Sequence, residues 1–157
     1  MVRPPQSSRG GLFGDPEPQT KPSSYRANID GGSRGNPGPA SYGVVIRDPK
    51  GEVIARLKKY IGRMTNNVAE YYGLIAALDY AQSHHIRALR IESDSELLVK
   101  HMRGEYKVKS AGLKPLFLET MRELRSFDRW SVRNVRREHN ERADELVNEE
   151  LDRAGRG

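Results

Sequence analysis

Ala27-Asn28-Ile29-Asp30-Gly31-Gly32-Ser33-Arg34-Gly35-Asn36-Pro37-Gly38-Pro39-Ala40-Ser41-Tyr42 is the stretch whose reading decides the fold. Tyr25–Ile29 predicts a strand that delivers a single carboxylate, Asp30. The run from Gly31 to Pro39 then predicts a tight turn before a second strand at Tyr42–Arg47. Gly31 and Gly32 carry no side chain that would crowd the space beside Asp30, so a ligand could approach the backbone closely. Taken alone, the stretch is equally a hairpin whose Asp satisfies turn backbone groups.

Working outward, Asp48-Pro49-Lys50-Gly51 is a turn, and a third strand over about 52–61 completes an antiparallel meander. The period then changes. From Asn67, the residues Val68, Tyr71, Tyr72, Ile75 and Leu78 recur at helical spacing, with Thr65 or Asn66 as N-cap and Ser83-His84-His85 as the end. Ala88–Ser93 reads as a fourth strand, followed by helices over Ser95–Met102 and Lys114–Ser126. Trp130–Val135 reads as a fifth strand and Asn140–Leu151 as a last helix. The expected architecture is an α/β domain, a mixed five-stranded sheet with helices on both faces.

A chain of 157 residues suits one domain with a real core. The expected division is a disordered tail over 1–24, rich in Pro, Gly, Ser and Gln, and a folded catalytic domain over 25–154. Charged residues make up 31% of the chain, and no apolar run approaches the roughly 20 residues that span a bilayer. Met1–Ser24 has no apolar signal-peptide core, and the chain has no cysteine, hence no disulfide framework and no thiol nucleophile. The expected location is the cytoplasm. The net charge of +6 favours polyanionic partners, although many basic proteins bind no nucleic acid.

The predicted elements place four carboxylates at the ends of strands and the starts of helices. Asp30 ends the first strand, and Asp94 ends the fourth just before a helix. Glu70 lies near the start of the long helix, and Asp144 near the start of the last one. Ligand sites in such sheets gather where strand ends and helix starts converge. Acids brought together there repel one another by several kcal/mol unless cations are bound. Mg²⁺ suits an all-oxygen donor set, and two ions about 3.5–4 Å apart can clamp the attacking and leaving oxygens of a phosphodiester. Each acid also has a plain reading, as a helix-dipole partner for Glu70 and Asp144 or an N-cap for Asp94. Those readings compete less well against the set of four.

The sequence resembles a type 1 ribonuclease H over about 25–153. The motifs are Asp-Gly-Gly-Ser-Arg-Gly-Asn-Pro-Gly-Pro at 30–39, Thr-Asn-Asn-Val-Ala-Glu at 65–70, Ser-Asp-Ser at 93–95 and Asn-Glu-Arg-Ala-Asp-Glu-Leu at 140–146. The resemblance implies endonucleolytic cleavage of the RNA strand in RNA–DNA hybrids, leaving 5′-phosphate and 3′-hydroxyl ends. It assigns the metal-binding acids to Asp30, Glu70, Asp94 and Asp144, with two Mg²⁺ ions for which Mn²⁺ can substitute. Asp30 would bridge the ions, Asp144 sharing the one on the attacking side and Glu70 and Asp94 the one on the leaving side. Asn36, Thr65, Asn66 and Asn67 match substrate-contacting positions, read mostly by shape. For the last three, plain helix capping is the competing reading. The expected partner is the hybrid, with no membrane and a monomeric protein.

Two departures stand out. Many members carry a basic, Trp-bearing insertion between the second and third helices. Here Met102–Lys114 is short, holding Arg103, Lys107, Lys109 and Lys114 without a Trp, so the grip could lean on Arg133, Arg136 and Arg137. Many members also place a catalytic His in a longer loop before the last acid. Here Arg136-Arg137-Glu138-His139 is short, and His139 is read first as an ordinary loop or helix-start residue. The competing functions are a catalytically silent hybrid-binding protein and a nuclease of the same fold that prefers double-stranded RNA.

Overall fold

The computed structural model describes residues 24–156, so the tail expected over 1–24 lies, apart from Ser24, outside the described residues. The elements follow the expected order. Three strands, β1 (Tyr25–Ser33), β2 (Gly38–Arg47) and β3 (Val53–Met64), are followed by helix α1 (Asn66–Ser83) and strand β4 (Ala88–Ser93). Helices α2 (Glu96–Met102) and α3 (Lys114–Leu124), strand β5 (Arg129–Asn134) and helix α4 (Glu141–Arg156) complete the domain. The single sheet has the order β3-β2-β1-β4-β5. β1 pairs antiparallel with β2 and parallel with β4, so the sheet is mixed, as expected. No helix among the described residues is long and apolar enough to cross a membrane.

One boundary differs in a way that matters. β1 does not break at Asp30; it continues through Gly31, Gly32 and Ser33, which pair with Tyr42, Ser41 and Ala40 of β2. The turn shrinks to residues 34–37. Glycine normally weakens a strand, and its presence here marks a place where another backbone comes close. Smaller shifts lie at the helix ends: a short 3₁₀ turn at Arg137–His139 precedes α4, which starts at Glu141 rather than Asn140.

Alternation along β1 sorts its side chains between two layers. Ala27 and Ile29 join Val44 and Ile46 of β2 and Tyr71, Leu74, Ala77 and Leu78 of α1 in the main core, which α2 and α3 extend through Leu98, Val99 and Leu124, with Leu113 just before α3. The opposite face is covered by α4, whose Ala143, Leu146, Val147 and Leu151 are buried. Asn28, Asp30 and Gly32 belong to that second face. The fold thus sandwiches the sheet between α1 and α4, and the strand that carries Asp30 is the middle one.

Candidate active site

Two glycines set how near the helices come to Asp30. A Cβ on Gly31 would overlap the backbone of Ala69 and Glu70, so this position lets the first turns of α1 rest directly on β1. On the other face, a Cβ on Gly43, the β2 partner of Asp30, would overlap the Ala143 carbonyl and lie 2.7 Å from Leu146 Cβ. These close approaches bring Glu70 from one layer and Asp144 from the other to the same strand. Asp94 arrives through register. The parallel β1–β4 ladder ends at Ile29–Ser93, so Asp30 and Asp94 both lie one residue beyond its last pair.

Local hydrogen bonds hold each carrier segment. Thr65 caps α1, its Oγ1 accepting from Val68 N at 3.2 Å, so the capping reading of Thr65 describes the ligand-free protein. Asn36 Oδ1 accepts from Asn66 N at 3.0 Å, and Asn66 Oδ1 accepts from Ser33 N at 2.9 Å, which ties the glycine turn to the start of α1. Around Asp94, Ser93 Oγ accepts from Ser95 N at 3.0 Å and Ser95 Oγ caps α2. The Ser93 carbonyl accepts from Val135 N and Asn134 Nδ2. Beneath Asp144, the fully buried Asn140 donates from Nδ2 to the Ile29 carbonyl at 2.8 Å and accepts from Asn28 Nδ2 at 3.2 Å. Arg47 donates to Asn28 Oδ1 at 3.0 Å and completes this buried network.

The result is a cleft of about 390 Å³ lined by all four acids, with Gly31, Gly32, Ser33, Arg34, Asn66, Arg137 and Asn148 around them. Carboxylate oxygens of Asp30, Glu70 and Asp94 lie within 4.8 Å of one another, and Asp144 lines the same cleft beside Asp30. Asp30 is 7% and Glu70 8% exposed. Burial, then the charges of Asp94 and Asp144, push the Asp30 carboxyl up to about 8. Burial, then Asp30 and Asp94, hold Glu70 well above the usual carboxylate range, and burial also raises Asp94. Glu70 Oε1 is buried with no hydrogen-bond partner.

Those features fit a divalent cation. An unpartnered buried carboxylate oxygen normally costs stability, and a group of near-touching acids lacks a counter-charge of its own. The donors are all oxygen, the set that hard cations such as Mg²⁺ take. Asp30, Glu70 and Asp94 would hold the ion, with Asp144 beside them.

The four amide and hydroxyl residues divide between two surfaces. Asn66 faces the acid cleft. Asn36, Thr65 and Asn67 line an adjoining groove of about 920 Å³ together with Tyr106, Lys107, Lys109 and Ser110 of the α2–α3 loop. Tyr106 is 51% exposed, and Lys100 Nζ lies 4.8 Å from its ring centroid. Of the arginines singled out in the sequence, Arg137 lines the acid cleft, whereas His139 lines a separate small cavity with Asn28, Arg47 and Arg142. Sequence reasoning missed Arg34 and Asn148 at the cleft wall, and the buried place of Asn140. The only available signal for Asn140 was its position four residues before Asp144.

Residues 28–150 match the profile of the family described as reverse transcriptase-like. The chain is 42% identical over 128 residues to the ribonuclease HI of Halobacterium salinarum, covering 82% of this chain and 64% of that protein. It is 44% identical over 126 residues to a Mycobacterium tuberculosis protein described as bifunctional, covering 80% of this chain and 35% of the relative. The chain therefore spans about a third to two thirds of the length of these two curated relatives. The solved N-terminal RNase H domain of the mycobacterial protein superposes with a TM-score of 0.82 at 42% identity, over 85% of this chain and 96% of that one. LC11-RNase H1, solved in complex with an RNA/DNA hybrid, gives 0.80 at 43% identity, over 83% of this chain and 99% of that one. By sequence and by fold, this chain belongs to the type 1 ribonuclease H family.

Proposed function

We propose that this chain hydrolyses the RNA strand of RNA–DNA hybrids in a reaction that depends on two divalent ions, leaving 5′-phosphate and 3′-hydroxyl ends. The observation that carries this reading is the buried group of carboxylates within 4.8 Å, with an unpartnered Glu70 oxygen, open to a cleft beside a basic groove. A binder of polyanions gains nothing from such a cluster. The hybrid complex of LC11-RNase H1 supports the substrate.

In this reading Asp30, Glu70, Asp94 and Asp144 hold the ions, Mg²⁺ by preference with Mn²⁺ as substitute. When bound, the ions supply positive charge at the attacking and leaving oxygens of the phosphodiester. The chain's own residues do the positioning. Asp30 and Glu70, whose carboxyls burial and neighbouring acids push up, would find in the ions the counter-charge they otherwise lack. Asn66 stands at the cleft, while Asn36, Thr65 and Asn67 hold the hybrid along the adjoining groove. Their short amides and hydroxyls suit minor-groove edges and 2′-hydroxyls without demanding a sequence. Lys107, Lys109 and the Tyr106 ring would line the path of the DNA strand, a compact grip in place of a Trp-bearing insertion. Water attacks phosphorus, the bond to the 3′-oxygen breaks, and that oxygen leaves with a proton.

The test is cleavage of an end-labelled RNA–DNA hybrid beside duplex RNA and duplex DNA, each in Mg²⁺, Mn²⁺ and EDTA. Metal-dependent cutting of RNA in the hybrid alone is expected. Binding without cutting in either metal would refute the reading, and equal cutting of duplex RNA would redirect it.

A further inference from the structure

We propose that the arginines at the other end of the central strands form a second docking surface, which takes the phosphate backbone of a nucleic-acid duplex separate from the hybrid in the acid cleft. The choice of nucleic acid among polyanions rests on the hydrolytic function proposed above. Arg26 of β1 pairs directly with Arg47 of β2 on one side and with Arg90 of β4 on the other. Alternation puts all three on the face that carries Asn28 and Asp30. Arg26 precedes Asp30 by four residues, a separation of about 13 Å along the strand. The next row on this face runs Arg56, Val45, Asn28, Glu92, Arg133 across all five strands. Arg142, in the first turn of α4, lines a small cavity together with Arg47.

The fold leaves most of this charge unanswered. Like charges directly opposite one another destabilise a sheet, and α4 does not shield them. It meets the sheet at Gly43, the partner of Asp30, and runs toward Gly32, away from Arg26. Arg26, Arg56 and Arg133 have no hydrogen bond or ion pair among the described residues. Arg90 Nε is buried without a hydrogen-bond partner, 3.7 Å from Glu92 Oε2. Glu92, the carboxylate within these rows, is divided between Arg90 and the Asn28 amide. Glu138 and Glu141 stand at the rim, in the wall of the small cavity, and Glu138 is already 3.7 Å from Arg136. Burial, then the charge of Arg26, lowers the Arg47 guanidinium below its ordinary value; Arg142 and Arg56 add to this, and Glu92 opposes it.

Uncommitted guanidiniums stay charged at every working pH and fork onto phosphate oxygens. Proteins that hold single strands add aromatic platforms for the bases. The residues paired with these arginines, Val45, Val53, Glu92 and Ser131, include no aromatic side chain. Contact with phosphates alone suits a duplex held without regard to sequence. A duplex held there while a hybrid occupies the cleft keeps the protein on nucleic acid between one cut and the next.

The double variant Arg26→Gln, Arg56→Gln tests this, since neither side chain has a partner in the fold and both lie off the acid cleft. The parent, saturated with a short hybrid in EDTA at about 50 mM salt, should take up one DNA duplex more, and the variant should bind that duplex about 10-fold more weakly. The slope of log affinity for this duplex against log salt should fall by about 2, one for each phosphate contact removed. Single-turnover cleavage of saturating hybrid in Mg²⁺ should stay at the parent's rate, and thermal stability should not drop, because opposed charges have been relieved. A parent that takes up no second duplex, or a variant that binds it with the parent's affinity and slope, overturns the proposal. So does slowed cleavage at saturation, which would put these arginines on the path of the hybrid. Preference of this face for poly-glutamate over duplex also overturns it, making the face a protein-docking surface. A parent that takes up the second duplex but cuts no hybrid keeps this surface and overturns the hydrolytic function alone.

Discussion

Asp30→Asn should make the metal-free protein more stable, increasingly so as pH rises. Burial and neighbouring charge push this carboxyl from 3.8 up to about 8 in the folded protein. A group whose folded value is raised contributes its full stability below the unfolded value and loses it as pH climbs through the folded one. At about pH 5.5 the unfolded chain has released the proton that the folded chain keeps, which costs roughly 2 kcal/mol at about 1.4 kcal/mol per pH unit. At about pH 8.5 the same cost reaches roughly 5 kcal/mol, so it grows by about 3 kcal/mol across the interval. The amide of the variant has the shape of the acid but no charge, so it escapes this dependence. The gap in Tm between variant and parent should therefore widen by about 10 °C between those pH values, for a domain of this size. The assay is thermal unfolding followed by circular dichroism in EDTA, repeated with millimolar Mg²⁺. With Mg²⁺ the order should reverse, because binding to the folded parent adds stability that the variant cannot draw on. A gap that stays flat with pH in EDTA would refute the reasoning, since the acids would then not be strained by one another.

Other outcomes follow from the same geometry. Asp94→Asn should abolish cleavage while keeping hybrid affinity within a few-fold in EDTA, and unchanged cleavage would remove Asp94 from the metal set. Gly31→Ala should destabilise by about 3 kcal/mol in urea unfolding, because the new Cβ meets backbone on Ala69 and Glu70 that cannot move aside. Asn140→Ala should cost a similar amount, about 3 kcal/mol, by removing the bond to the Ile29 carbonyl and one of the two bonds of the Asn28 amide in a buried site, the bond to Glu92 remaining. Tyr106→Ala should weaken hybrid binding by about 5-fold or more without changing unfolding, the loss expected when an exposed aromatic platform is removed.

The sheet and its helices were legible because their signals are local. Alternation along β2 and β4, the change to helical spacing after Thr65, and the Ser-Asp-Ser cap need only neighbours in sequence to be read. Where the reading slipped, a distant partner decided. Gly31 and Gly32 have the composition of a turn, yet they remain in the strand because β2 pairs with them and the α1 backbone lies against Gly31. No local rule separates a turn glycine from one that admits a helix.

The same division explains what could be foreseen of the site. The acids were visible as a set because the order of elements puts each near a strand end or a helix start, although β1 runs three residues past Asp30. Which cation accompanies them was not visible. Arg136, Arg137 and His139 are nearly equivalent as sequence, basic residues in one short loop. A turn of 3₁₀ helix next to the buried Asn140 separates them, so that Arg137 lines the acid cleft and His139 a separate small cavity. Asn140 therefore links the parts of the site. It joins α4 to the strand carrying Asp30, its amide favours the charged form of Asp94, and it sets the direction of the loop. One buried amide couples the position of the acids to the position of the cation, so a change there disturbs both together.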